Sequence, residues 1–302
     1  MPRYVIIGNH RDAWGYGASD PSSGTAPLME MARVLGERVS RGWRPRRSIV
    51  MASWAAEEMG LMGSWEWTMD KIHKLTHRAV GHINMDTCVS GDILETATSP
   101  SLKPVMLTAM KGVNSPQDDK RSIYKFSQQR HNSESMSDTV GILGSGSDHT
   151  AFAFFAGVPS IFYGYKKGGY PAYHTGFETF YLMDQLVDPG FNKSKACAQL
   201  GLHIALQLTE APVLPYSLTD MTKVIEGAIT ELQNNTFVTL RDHGAGESLD
   251  VTLKAFHEFK RAAKLFSSCQ NNAPSDELRY TLKQFVCYNH KVVPVPECSM
   301  IS

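Results

Sequence analysis

The alternation of short apolar strands with amphipathic helices constrains this chain more than any other feature. Residues 3–9 (RYVIIGN), 47–55 (RSIVMASWA) and 79–86 (AVGHINMD) are β-branched, largely apolar runs, the pattern of strands buried on both faces. Between the first two, residues 25–39 carry Leu28, Met31, Val34 and Leu35 at helical spacing. Ser22, Ser23 and Gly24 stand where a helix start is expected. Strand-helix-strand order predicts an α/β fold, a mostly parallel mixed sheet flanked by helices. Residues 114–146, rich in Ser, Gln, Asn and Gly, read as a long irregular excursion, followed by a helix at 149–156 and a strand at 158–165.

A helix at 193–209 has Cys197, Leu200, Gly201, Ile204 and Leu208 on one stripe. The Pro-punctuated segment APVLPYS at 211–217 then marks a boundary, and beyond it only helical periodicity remains, at 218–232, 249–266 and 275–288. Two domains are expected, 1–212 and a helical bundle over 213–302.

With 42% hydrophobic residues in a 302-residue chain, a full-sized core can form. Lys+Arg and Asp+Glu are both 30, so no net field favours nucleic acid or an anionic membrane. The apolar run 151–165 is broken by Gly157 and Pro159 and is too short to span a bilayer. No signal peptide is visible, and no membrane contact by this chain is expected. The five cysteines, at 88, 197, 269, 287 and 298, include no CxxC pair, which argues against a disulfide scaffold and against a thiolate metal site. Asn192 and Asn234 head glycosylation sequons.

The chemistry-bearing residues stand at strand ends. His10 and Asp12 follow the first strand with Asp20 just beyond, Glu57 and Glu58 follow the second, and Asp86 ends the third. Carboxyl ends of parallel strands form the ligand crevice of open α/β sheets, so these residues converge. Any one of them alone would be a helix cap, a solvated charge or a structural histidine. Together they form a cluster of like charges that needs cations to neutralise it. Imidazole and carboxylate without thiolate suit zinc, and the excess of carboxylates suggests two ions sharing a bridge.

The segments NHRDAWGYGASDPSSG (9–24), GWRPRRSIVMASWAAEEMGLMGSWEW (42–67), INMD (83–86), LGSGSD (143–148) and YPAYHTGFET (170–179) resemble the glutamate carboxypeptidase II family, which includes the transferrin receptor and intestinal aminodipeptidase-like relatives. The resemblance implies a zinc-dependent exopeptidase fold holding two Zn2+ and a glutamate carboxypeptidase-like metallopeptidase activity. His10 and Asp86 would bind one ion, Glu58 and His174 the other, and Asp20 would bridge them. Glu57 would be the general base that takes a proton from the activated water. Tyr173 would stabilise the tetrahedral intermediate, and Gly146 and Ser147 would contact the substrate. Small peptides are the implied substrates, a homodimer through the C-terminal helices the implied assembly, and the cell surface or exterior the implied location.

Two departures from the family pattern bear on specificity and completeness. The strand at 158–165 lacks the arginines that pair with acidic substrate side chains, so selectivity is expected to be broad. The chain also begins after the family's first strands and inserted protease-associated domain, and stops before its final helices, which predicts a weak catalyst as it stands. The competing readings are an inactive receptor-like homologue, which would have lost ligands, a single-zinc acyl cyclase, and an aminopeptidase or dipeptidyl peptidase specificity.

Overall fold

The computed structural model describes residues 3–130, 139–167 and 170–272. The chain divides into two compact units, Met1–Pro215 and Tyr216–Ser302. The strands of the first unit are β1 Tyr4–His10, β2 Ser48–Trp54, β3 Ala79–Asn84, β4 Ile93–Thr98, β5 Asn114–Ser115, β6 Asp118–Ser122, β7 Gly141–Ile142 and β8 Ser160–Lys167. Its helices are α1 Ser22–Ser40, α2 Met62–Arg78, α3 Lys103–Gly112, α4 Ile123–Arg130, the single turn α5 Phe180–Leu182, and α6 Asn192–Glu210.

Among the described residues, six strands form a mixed sheet in the order β2, β1, β3, β8, β4, β7. The first four run parallel, β4 is antiparallel to β8, and β7 pairs parallel with β4. α1 and α6 pack on each other and against β1. Ile6, Trp54, Leu75, Phe152 and Val158 form a buried cluster that carries α2 and the helical turn at Ala151–Phe155. Fully buried β1 residues such as Val5, Ile6 and Ile7 account for the uninterrupted apolar run, since a central parallel strand is covered on both faces.

The expected α/β architecture, the three early strands, α1, α6 and β8 are all present within a few residues of the expected bounds. Ser22 to Gly24, however, do not cap α1. Pro21 precedes the helix without a side-chain cap, and the Ser23 hydroxyl instead donates to Ser19 O at 2.6 Å and accepts from Val89 N at 3.0 Å. The stretch 114–146 is also more regular than expected, holding β5, β6, α4 and β7, with 131–138 outside the described residues. β6 reads DDKRS, which carries no hydrophobic alternation, so its two-stranded pairing with β5 left no trace in the pattern. β4 and α3 likewise escaped the sequence reading.

The cysteine reading needs correction. Cys88 and Cys197, 109 residues apart in sequence, form a disulfide that ties the segment after β3 to α6. Both residues are fully buried. Spacing along the chain could not reveal a pairing made by tertiary proximity.

In the second unit, α7 spans Leu218–Asn235, α8 Phe237–Leu240 and α9 Gly246–Asn272. Ser217 caps α7, accepting from Asp220 N at 3.1 Å. Leu249, Phe256, Ala263 and Phe266 form the buried stripe of α9, and Lys260 pairs with Glu226 of α7. The helix expected at 275–288 lies outside the described residues. Among the described residues, no helix is long and apolar enough to cross a membrane.

Candidate metal centre

Parallel strands deliver their last residues to one crevice, and the polar residues gather there. His10 ends β1, Glu57 and Glu58 follow β2, Asp86 follows β3, and His174 lies in the turns after β8. His10 Nε2 lies 3.1 Å from Asp86 Oδ1 and 3.3 Å from Asp20 Oδ1. His174 Nε2 lies 3.1 Å from Glu58 Oε2 and 3.3 Å from Asp20 Oδ2. Asp20 therefore turns one oxygen to each histidine. Donor atoms of His10, Glu57 and Asp86 lie within 4.8 Å of one another, as do those of Asp20, Glu58 and His174. All six residues singled out in the sequence for metal binding or proton transfer meet in this one place.

The backbone is shaped to hold them. The Asp12 carboxylate accepts from Glu57 N at 3.1 Å through Oδ1 and from Glu58 N at 3.2 Å through Oδ2, which sets the two glutamates in their turn. Its carbonyl oxygen lies 3.0 Å from His10 Nδ1, leaving Nε2 to face the carboxylates. Ala56 (φ 56°), Leu61 (φ 64°) and His174 (φ 58°) adopt the left-handed region. For non-glycine residues this costs about 1–3 kcal/mol and persists where surroundings enforce it, commonly at functional sites.

Asp20 is fixed from two sides. The buried Glu178 carboxylate accepts from the backbone N–H of Ser19 at 3.0 Å and from that of Asp20. α1 presses against the end of β3, and at Gly24 an added Cβ would lie 1.8 Å from the carbonyl oxygens of both Met85 and Asp86. Only glycine permits that approach. Asn9 Nδ2 donates to the same two carbonyls, at 3.4 and 3.2 Å.

Charge is concentrated in the crevice. Burial pushes the Glu57 carboxyl up to about 8, assisted by Asp86 and Asp148 and opposed by His10. Burial likewise pushes the Asp148 carboxyl up to about 7. For His10 burial acts downward, but hydrogen bonds to Asp20 and Asp86 outweigh it and hold the ring at about 11. Asp86 is held well below the usual carboxylate range, the His10 and Lys166 charges overcoming its burial. Among the buried carboxylate oxygens here, Glu58 Oε1 accepts no hydrogen bond and Asp20 Oδ1 faces His10 Nε2 at 3.3 Å.

The crevice opens into a cavity of about 540 Å3 lined by Glu57, Glu58, Gly146, Phe162, Lys166 and Tyr173. Tyr173 is more than half exposed and stacks on His174 at 3.7 Å between ring centroids. Gly146 borders the cavity, whereas Ser147 is buried and its hydroxyl donates to Asp86 Oδ2. A larger cavity of about 810 Å3 lies between α1, α5 and α6. It is mainly apolar and holds none of these residues. Asn84, Asp148, His149 and Glu178 were missed in the sequence. Only neighbourhood could have pointed to them, since each sits within four residues of a candidate ligand or substrate contact.

Peptidase family M28 matches residues 2–187. Aminopeptidase NAALADL1 of Rattus norvegicus is 38% identical over 274 residues, covering 86% of this chain and 36% of that protein. A probable glutamate carboxypeptidase, LAMP1 of Arabidopsis thaliana, is 36% identical over 271 residues, covering 88% of this chain and 37% of that one. The chain thus spans little more than a third of the length of these relatives. Among solved structures, the Legionella pneumophila LapA aminopeptidase superposes with a TM-score of 0.51 at 20% identity, covering 70% of this chain and 53% of that chain. That likeness is one of fold.

Proposed function

Because the chain belongs to peptidase family M28, we propose that its crevice is the catalytic centre of a metallo-exopeptidase that hydrolyses small peptides with two zinc ions. The observation that carries this reading is the Asp20 carboxylate, whose Oδ1 and Oδ2 each lie 3.3 Å from a different histidine nitrogen. The donor set fits zinc: imidazole and carboxylate groups in two clusters, with a buried Glu58 oxygen that accepts no hydrogen bond inside. His10 and Asp86 would hold one ion, Glu58 and His174 the other, with Asp20 common to both. When bound, zinc supplies Lewis acidity that polarises a carbonyl and brings the pKa of water to about 7.

The chain's own groups would do the rest. Glu57 would take the proton from the attacking water and return it to the departing amine, a role for which its carboxyl stands beside His10 and Asp86 at the cavity wall. Asp12 keeps it aimed by binding its backbone N–H. Tyr173, beside His174 at the cavity rim, would donate its hydroxyl hydrogen to the oxyanion. The two glutamates separate the roles experimentally. Glu58→Ala should lower zinc content, while Glu57→Gln should keep zinc and lose about 10²–10⁴ in kcat. Loss of zinc from Glu57→Gln would show the two assignments to be reversed.

Specificity is expected to be broad. β8 supplies Phe162 to the cavity wall, and the Lys166 ammonium lies over that ring at 4.2 Å. A single ammonium on an aromatic face lacks the bidentate fork that fixes a carboxylate. Matched peptides with Glu or Ala next to the scissile bond should therefore differ little in kcat/KM. A Glu preference above about a hundredfold, roughly 2.7 kcal/mol, would overturn this. Attack at the amino end has a specific basis in the 38% identity to a relative named as an aminopeptidase; parallel assays on N-acylated and free dipeptides decide between the ends. The α7 and α9 helices are proposed to carry a homodimer contact, and the exposed Asn192 and Asn234 to accept glycans.

A further inference from the structure

A line of buried hydrogen bonds runs behind Asp86, on the side away from His10. Ser147 Oγ donates to Asp86 Oδ2. Asn84 Nδ2 donates to Ser147 Oγ at 2.6 Å and also lies 3.2 Å from His149 Nδ1. His149 Nε2 in turn lies 2.9 Å from Gly144 O. Asn84, Ser147 and His149 are each at most 2% exposed.

With Asn84 Nδ2 turned to both neighbours, the directions of these bonds follow. A carbonyl oxygen only accepts, so His149 Nε2 carries the ring hydrogen and Nδ1 is bare. An amide nitrogen only donates, so Asn84 sends one hydrogen to His149 and the other to Ser147. With its oxygen occupied by that donor, Ser147 turns its own hydrogen to Asp86. Burial lowers the His149 pKa, which favours the neutral ring this arrangement requires.

We propose that His149, which touches neither the cavity nor a candidate ligand, is a positioning residue for Asp86 acting through Asn84 and Ser147. It sets the turn of the carboxylate: Oδ2 is held by Ser147, while Oδ1, which accepts from Thr87 N and the Thr87 hydroxyl, lies 3.1 Å from His10 Nε2 and faces the metal position. The inference rests on reading Asp86 as a metal ligand. A purely structural role would need only the flat ring, which stacks on Phe162 at 5.2 Å, and phenylalanine would serve as well.

The test compares His149→Phe, His149→Gln, Ser147→Ala and Asp86→Ala in the full chain. Zinc dissociation constants are measured by chelator competition, and Tm on metal-stripped samples. Ser147→Ala is expected to weaken one zinc site about tenfold, within the usual range for a partner of a metal ligand. His149→Phe should weaken the same site by a smaller factor, about threefold or more. His149→Gln, with both an acceptor and a donor on its amide, should restore it. Cobalt substitution should show the same site altered in the visible spectrum. Parental zinc affinity in His149→Phe, whether or not Tm falls, would overturn the proposal. If that variant does not fold, unchanged zinc affinity in Ser147→Ala overturns it instead. Retention of both zinc ions by Asp86→Ala would instead show that Asp86 is not a ligand, and the metal assignment beneath the proposal would fall.

Discussion

The two halves of the crevice are built by different means. His10 closes a fully covered strand, is 1% exposed, and faces an Asp86 that is itself held by Thr87 N, the Thr87 hydroxyl and Ser147. His174 stands in a turn, its side chain 33% exposed, on a backbone of positive φ. Sheet hydrogen bonds and core packing fix the first half independently of any ligand. The second half depends on a few local anchors, chiefly Glu178 and Asp12. Preorganisation lowers the cost of binding, so the strand-borne half should hold its ion more tightly than the turn-borne half.

Three experiments bear on that contrast, the largest effect first. Asp20 is the one carboxylate shared by both halves, so Asp20→Ala should empty both and reduce kcat/KM by more than about a thousandfold. Retention of one full zinc equivalent would mean the halves are independent. Next, graded chelation of the unaltered protein should remove one equivalent at a free chelator concentration about tenfold lower than the other, a gap of about 1.4 kcal/mol. The easily lost equivalent should be missing from His174→Ala and still present in His10→Ala. The reverse pattern would break the comparison.

The smallest effect is in pH. Glu57 at about 8, Asp148 at about 7 and His10 at about 11 all stand above their ordinary values. Between pH 6.5 and 8 these groups make the folded, metal-stripped protein bind more protons than the unfolded chain and so lower its stability as pH rises, whereas below 6.5 His82 and His149, whose pKa values burial lowers, act in the opposite sense. Asp86, held low, acts in the opposite sense only in more acidic solution. Zinc supplies the positive charge that those protons supply at low pH. Its addition should thus raise Tm by several degrees more at pH 8 than at pH 5.5. Equal gains at both values would show that the proton-linked groups of the strand-borne half do not meet the metal.

The contrast also explains what could be read from the sequence. β1 to β3 were legible as apolar runs and α1 as a helical period, both imposed by burial, and the ligands of the first half follow those strands directly. The second half was legible only through the resemblance of YPAYHTGFET, since nothing in the composition of that turn forecasts its conformation. Supporting groups were harder still. Asn84 and Glu178 act by hydrogen bonds to partners 63 and 158 residues away, and such pairings leave no periodic mark. Cys88 and Cys197 show the same limit.

The close seating of α1 against β3 at Gly24 bears on the order of events in folding. Asp20 lies just before the helix and Asp86 just after the strand, and an added methyl group at Gly24 would collide with the Asp86 carbonyl. The register of the two carboxylates therefore depends on the docking of that helix against β3. If zinc recognises only that docked register, its capture is expected late in folding. A metal bound only at that stage is expected to slow escape from the fold, raising the barrier to unfolding while leaving the rate of collapse unchanged.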